Sequence, residues 1–178
     1  MIWESWPWKR ELFRIASRLE KRKQQKKWPE PSLAKVEMEM FFAAYSLRKL
    51  FEAAKISDNT TTSQFDVKVY DFIGTNVTKL NWHKIDKHYD LTKSVHSKKE
   101  ALFICNQLIH SYVFVLLFEE TGGLSGIYFC SDRERHKHLY LLDIDDLISY
   151  LVKVSQDEPH TIKSVFNEKK RDYDEYIC

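Results

Sequence analysis

Asn106 and His110 are the residues whose types and spacing best suit chemistry. They lie four apart in a segment with a helical period, so both project from one face. A neutral imidazole exchanges a proton near pH 7, and two polar partners on one face can build a site. Arg48, on an earlier helical segment, can reach the same place, and its five fixed donors suit a phosphate or a carboxylate. Arg48, Asn106 and His110 form the candidate catalytic set, with proton transfer beside a bound phosphate or carboxylate as its chemistry. The plainer alternative is that Asn106 and His110 cap or hydrogen-bond the end of a packed helix, a common fate of buried polar groups.

Cys105-Asn106-x-x-x-His110 resembles the motif of the HEPN family of helical-bundle proteins, whose nucleases carry Arg, a polar residue such as Asn, three spacers and His on a late helix. The long helical stretch Phe42-Ala-Ala-Tyr-Ser-Leu-Arg-Lys-Leu50 would pack against the His-bearing helix as in that family, so the likeness spans roughly residues 33–111. Cys105 stands where the family pattern has its arginine. A cation to hold the charge of a scissile phosphate must then come from elsewhere, and Arg48 is the residue available. The resemblance implies a nucleic-acid-associated protein, a degenerate or Arg48-assisted ribonuclease, acting on RNA or a nucleotide in a stress or toxin–antitoxin setting. No cofactor is expected. The rival reading is a non-catalytic protein-interaction module, homodimeric, that engages a partner through its Trp-rich N-terminal helix.

Other constellations are weaker. His136-x-His138 with Cys130 upstream does not define a closed metal site, and the interleaved Arg133, Arg135 and Lys137 repel a dication, so no metal is expected and the turn faces anions. His83, Asp86 and His88 contain no HExxH spacing and no nucleophile. With glycine only at 74, 122, 123 and 126, neither a GxGxxG turn nor a GxxxxGK[ST] phosphate loop can be written.

Charge is uneven. Residues 1–27 hold nine Lys or Arg against three Glu, a net +6 in a chain whose total is +2, so the remainder carries −4. Lys9, Arg10, Arg14, Lys21, Lys23, Lys26 and Lys27 are the candidate nucleic-acid-binding residues. Trp3, Trp6, Trp8 and Trp28 interleave with them, and bases of single strands stack on such rings beside lysines. The same tryptophans serve equally as core or interface filler.

These residues need a scaffold. Ser5 and Pro7 open a helix from about 6 to 26 with Trp8, Leu12, Ile15 and Leu19 on one stripe. Pro29 and Pro31 break it, and Ser32 caps a second helix from Leu33 to about Lys55. Phe65 to Ile73 alternates like a strand, 74–96 shows no period, and Ser97 with Glu100 reads as a capping box for a third helix over about 98–111. Tyr112–Phe118 and Leu124–Cys130 make a hairpin turned at Thr121-Gly122-Gly123, His138–Leu142 adds a strand, and a helix follows over about 143–155. The fold expected is α+β: an N-terminal helical bundle, a small antiparallel sheet and a C-terminal helix, in one domain over 1–158 with a charged tail over 159–178. At 43% hydrophobic and 30% charged residues, the 178-residue chain can bury a core without staples. Three widely spaced cysteines, 105, 130 and 178, suit a reducing compartment, so the Asn59 and Asn76 sequons carry no sugar. The start lacks a basic and apolar leader, and the longest apolar run, Tyr112–Phe118, falls short of the ~20 residues a bilayer requires; a cytoplasmic protein off the membrane is expected.

Overall fold

The computed structural model describes residues 2–159 and 161–177. Helix α1 spans Trp6–Arg22, with Pro7 in its first turn and Leu12, Ile15, Ala16 and Leu19 buried. It ends four residues short of the expected 26. There the main chain of Lys23 to Lys26 lies against the Gly122-Gly123 turn, so close that a Cβ on Gly123 would sit 2.0 Å from the Lys23 carbonyl oxygen. Helix α2, Glu30–Glu52, starts ahead of the expected Ser32 cap, because Pro29 takes the extended capping position and Pro31 is tolerated in the first turn. The Ser32 hydroxyl instead accepts from Arg22 Nη1 at 2.9 Å, tying the two helices at their shared end. A left-handed Ala54, φ 52°, and a single turn α3, Asp58–Thr61, lead into the sheet.

Strands β1 (Gln64–Asp71), β2 (Val95–Glu100), β3 (Ser111–Phe118), β4 (Leu124–Ser131) and β5 (His138–Asp143) form one antiparallel sheet in the order β2-β1-β5-β4-β3. The expected capping box is a correction. Ser97 and Glu100 belong to β2, where they oppose Val67 and Gln64, because a ladder satisfies every second backbone group and a cap only one or two. Helix α4 therefore starts at Ala101, whose N–H donates to the Ser63 carbonyl at 3.0 Å, and ends at Ile109 with His110 as its C-cap.

Phe129 pairs with Tyr140 across β4 and β5, and the Phe103 ring of α4 meets Tyr140 at 5.3 Å, so this sheet face carries the helices. Helix α5, Ile144–Gln156, covers its other end, capped by Asp143 accepting from the Asp145 N–H at 2.8 Å, and packs against α1. Alternation turns Cys130 to the opposite face, where the Tyr89 hydroxyl of the 72–90 segment meets its sulfur at 3.4 Å and donates to the Arg135 carbonyl at 2.7 Å. Within the charged tail, β6, Ile162–Asn167, and β7, Asp172–Ile177, pair as a hairpin, and the Ile177 N–H donates to Asp58 at 3.1 Å. The molecule is α+β, with an antiparallel sheet and helices that precede, interrupt and follow it, and with strands at its C-terminal end.

Candidate nucleic-acid interface

Three elements converge on one cleft of about 530 Å³. The last turns of α2 bring Arg48, α4 brings Phe103, Asn106, Gln107 and His110, and the end of β4 brings Ser131, Asp132 and Arg133. The sequence folds this way locally because α4 buries Ile104, Cys105 and Leu108 against the core, which turns the 106/110 ridge outward. Gln107, buried, accepts from the Ser131 N–H at 2.9 Å and locks α4 to β4. The His110 main chain closes the helix on the Asn106 carbonyl at 3.1 Å and accepts from the Asp132 N–H at 3.3 Å, while its side chain is exposed.

Arg48 donates from Nη1 to Asn106 Oδ1 at 3.0 Å and from Nε to Glu52 at 2.9 Å, so its guanidinium is held by two partners with Nη2 left unbonded among the described residues. The lone carboxylate of the cleft, Asp132, is drawn off by Arg135 at 3.2 Å, a guanidinium that also lies 4.0 Å over the Tyr112 ring. Arg133 is exposed and has no ion pair among the described residues. The cleft thus presents two guanidinium groups, an amide and an imidazole, a donor-rich set that fits a phosphodiester. Cys105 contributes nothing to it: burial pushes its thiol up to about 12, so it stays neutral in the core.

All three candidate catalytic residues therefore line one cleft, with Phe103, Gln107 and Arg133 beside them. Gln107 gave no signal beyond its place on the same helix. Arg133 did, in the basic turn after a strand.

The basic N-terminal residues are dispersed. Lys9 is a correction: it is 7% exposed and its ammonium donates to the Asp157 carbonyl at the end of α5, with burial lowering its pKa against the pull of Asp157 and Glu158. Arg10 lies 4.8 Å over the Trp6 ring, Arg14 pairs with Glu11 at 3.3 Å, and Lys23 pairs with Asp145 at 2.5 Å and Glu20 at 3.3 Å. Lys21, Lys26 and Lys27 are exposed. Lys26 abuts Gly122, just before β4 begins, whereas the cleft lies where β4 ends, about 23 Å away at the usual rise per strand residue.

The histidines of the weaker constellations have other partners. His136 Nε2 accepts from the Val77 N–H at 3.3 Å, His138 lies 3.2 Å from Asp71, and Cys130 is engaged by Tyr89. Among the described residues no group of three or more His, Cys, Asp or Glu is placed to hold a metal; Cys178 lies outside them. His88 is fully buried, its two ring nitrogens each 3.0 Å from a carbonyl oxygen, of Thr75 and of Asn81. No described helix is long and apolar enough to cross a membrane. No protein-family model matches the chain, and neither a curated protein nor a solved structure matches it, so the geometry of the cleft is what speaks for its chemistry.

Proposed function

We propose that the chain is a HEPN-like, nucleic-acid-associated protein that holds an RNA phosphodiester in the cleft of Arg48, Asn106, His110 and Arg133, and cleaves it with Arg48 in place of the motif arginine. The observation that carries this reading is the 3.0 Å bond from Arg48 to Asn106 beside an exposed His110, which supplies a fixed cation next to a proton acceptor. In the step proposed, the imidazole takes the proton of a 2′-hydroxyl and the 2′-oxygen attacks phosphorus. The bond to the 5′-oxygen breaks, water supplies that oxygen with a proton, and a 2′,3′-cyclic phosphate is left. Arg48 and Arg133 hold the charge that grows on the phosphoryl oxygens. Phe103, half-exposed on the cleft wall, offers a ring on which a neighbouring base stacks. The packing of α2 against α1 and α4 supports reading these helices as the N-terminal bundle of such a protein, and a cytoplasmic stress or toxin–antitoxin role accompanies the reading.

The test is single-stranded RNA incubated with the purified chain. Retention is expected to weaken steeply with salt. His110→Ala is expected to lose about 10²–10⁴-fold in cleavage rate with its thermal midpoint unchanged, and Arg48→Ala to lose retention as well. Wild-type protein that neither retains nor cuts RNA at low salt overturns the proposal. A second reading, a non-catalytic protein-binding module, is favoured by Trp3 and Trp6, which are 89% and 57% exposed; capture of a partner lost on Trp6→Ala, without RNA retention, is its expected signature.

A further inference from the structure

The cleft of Arg48 and His110 runs beside α4, nine residues or about 14 Å long, and at each end of this helix a cation lies over an aromatic ring. At the N-terminal end, Lys99 Nζ is 5.2 Å from the centre of the Phe103 ring and 5.9 Å from that of Tyr140. At the C-terminal end, the Arg135 guanidinium is 4.0 Å from the centre of the Tyr112 ring. Both pairs adjoin the cleft: Phe103 lines it, and Asp132, which lines it too, pairs with Arg135 at 3.2 Å. Local structure puts the rings there. Phe103 shares one ridge of α4 with Asn106 and His110, at spacings of three and four. Tyr112 is the extra residue of a bulge, since Ser111 faces Ser131 and Val113 faces Cys130, and bulges re-aim side chains.

The acids at the two ends are engaged within the chain. Glu134 accepts from Lys137 at 3.1 Å and from the Tyr140 hydroxyl at 2.9 Å, and Asp132 is held by Arg135. Glu100 falls on the opposite face of β2 from Lys99. Lys99 itself has no ion pair among the described residues.

We infer that the cleft is the middle of a track for unpaired RNA that follows α4 from end to end. One base stacks on Phe103 and another on the side of the Arg135 guanidinium turned away from Tyr112, since aromatic rings and guanidinium planes both stack splayed bases. Lys99 takes the phosphate beyond Phe103, while Arg48 and Arg133 hold the phosphate between the two bases. This inference rests on the RNA reading and extends it from one phosphodiester to a strand of about four nucleotides, the number whose stacked rise of about 3.4 Å each matches the length of α4. A dinucleotide is too short to span both platforms. A duplex keeps its bases stacked on one another and cannot offer their faces to the protein.

The test is retention of three probes by the full chain: a ten-nucleotide single-stranded RNA, the same strand annealed to its complement, and a dinucleoside monophosphate. The single strand is expected to be held at least about tenfold more tightly than either of the others. Lys99→Ala is expected to lower the slope of log affinity against log salt for the ten-nucleotide strand by about 0.7, the loss of one phosphate contact. Lys99→Arg, which keeps the charge, is expected to restore the slope, so that loss of the contact is told apart from loss of the fold. Arg135→Lys leaves a cation for Asp132 but removes the plane. It is expected to weaken the single strand about fivefold or more at an unchanged slope, and to lower the ratio of ten-nucleotide to dinucleotide retention by the same factor. A duplex held as tightly as the single strand, or a slope and a ratio that these variants leave at their wild-type values, overturns the track while the cleft reading stands. Wild-type protein that retains none of the probes overturns both.

Discussion

His88 holds the 74–90 segment together from the inside. Its ring bridges the carbonyls of Thr75 and Asn81, and the next residue, Tyr89, is seated on Cys130 and Arg135. His88→Leu removes the ring N–H that serves these main-chain oxygens, from a side chain that is fully buried. A loss of about 1–3 kcal/mol is expected in urea unfolding, with the sheet's circular dichroism signal retained; an unchanged midpoint would show that the ring merely fills space. Residue chemistry was legible in the sequence where spacing alone determines it: Asn106 and His110 share a face because four residues make about one helical turn. Lys9 was not legible, because a lysine carries an apolar stem as well as a charge. Its stem runs into the α1–α5 contact and its ammonium finds the carbonyl end of α5, where helix partial charge favours a cation.

At the scale of elements, the Gly122-Gly123 turn shows how one backbone fixes another. Gly122, at φ 95°, accepts the Trp28 indole N–H at 2.7 Å, and Gly123 leaves no room for a Cβ beside Lys23. Gly123→Ala forces main chain against main chain. It is expected to cost about 1–3 kcal/mol in chemical denaturation, and a midpoint equal to that of wild type would mean the turn can step away from α1 freely. The hairpin at this turn was readable, since two β-branched, aromatic runs flank the glycines. The capping box at Ser97 was misread because the same residues also alternate, and the partner strand that decides between strand and helix lies thirty residues upstream, Val67 for Ser97. The β6–β7 hairpin gave no turn signal for a related reason: its turn contains no glycine, using Asn167, whose side chain accepts from the Lys169 and Lys170 N–H groups at 3.1 and 3.3 Å, and Arg171 at φ 50°.

Over the whole molecule, carboxylates set the acid limit. Hydrogen bonds from Arg18 and Arg14 hold Glu11 below its ordinary range, and Lys49 and Arg48 do the same for Glu52. Burial pushes Glu134 and Asp157 the other way, but Lys137 and Tyr140 for the first, Ser57 and Thr60 for the second, outweigh it. A carboxyl with a depressed native value binds fewer protons folded than unfolded, so its contribution is present above the unfolded value of about 3.9–4.3 and is lost as pH falls through the native one. Asp146 has the opposite sign, raised by burial and by Asp143, Asp66 and Asp145. With six carboxyls lowered, Asp90 and Asp174 among them, against one raised, the urea midpoint is expected to hold from neutrality to about pH 5 and to fall below about pH 4; a midpoint that rises on acidification would mean the acidic rim around Asp146 governs.

The strand order carries a consequence for how the chain is made. β5, the last of the five strands in sequence, lies between β1 and β4 and, among the described residues, alone joins the β2-β1 pair to the β4-β3 hairpin. During synthesis both hairpins emerge before the piece that welds them, and α1 waits for α5 to cover its apolar stripe. A nascent chain stalled before His138 holds two unjoined halves and one uncovered helix, so chaperone engagement is expected to fall once His138–Gln156 has left the ribosome.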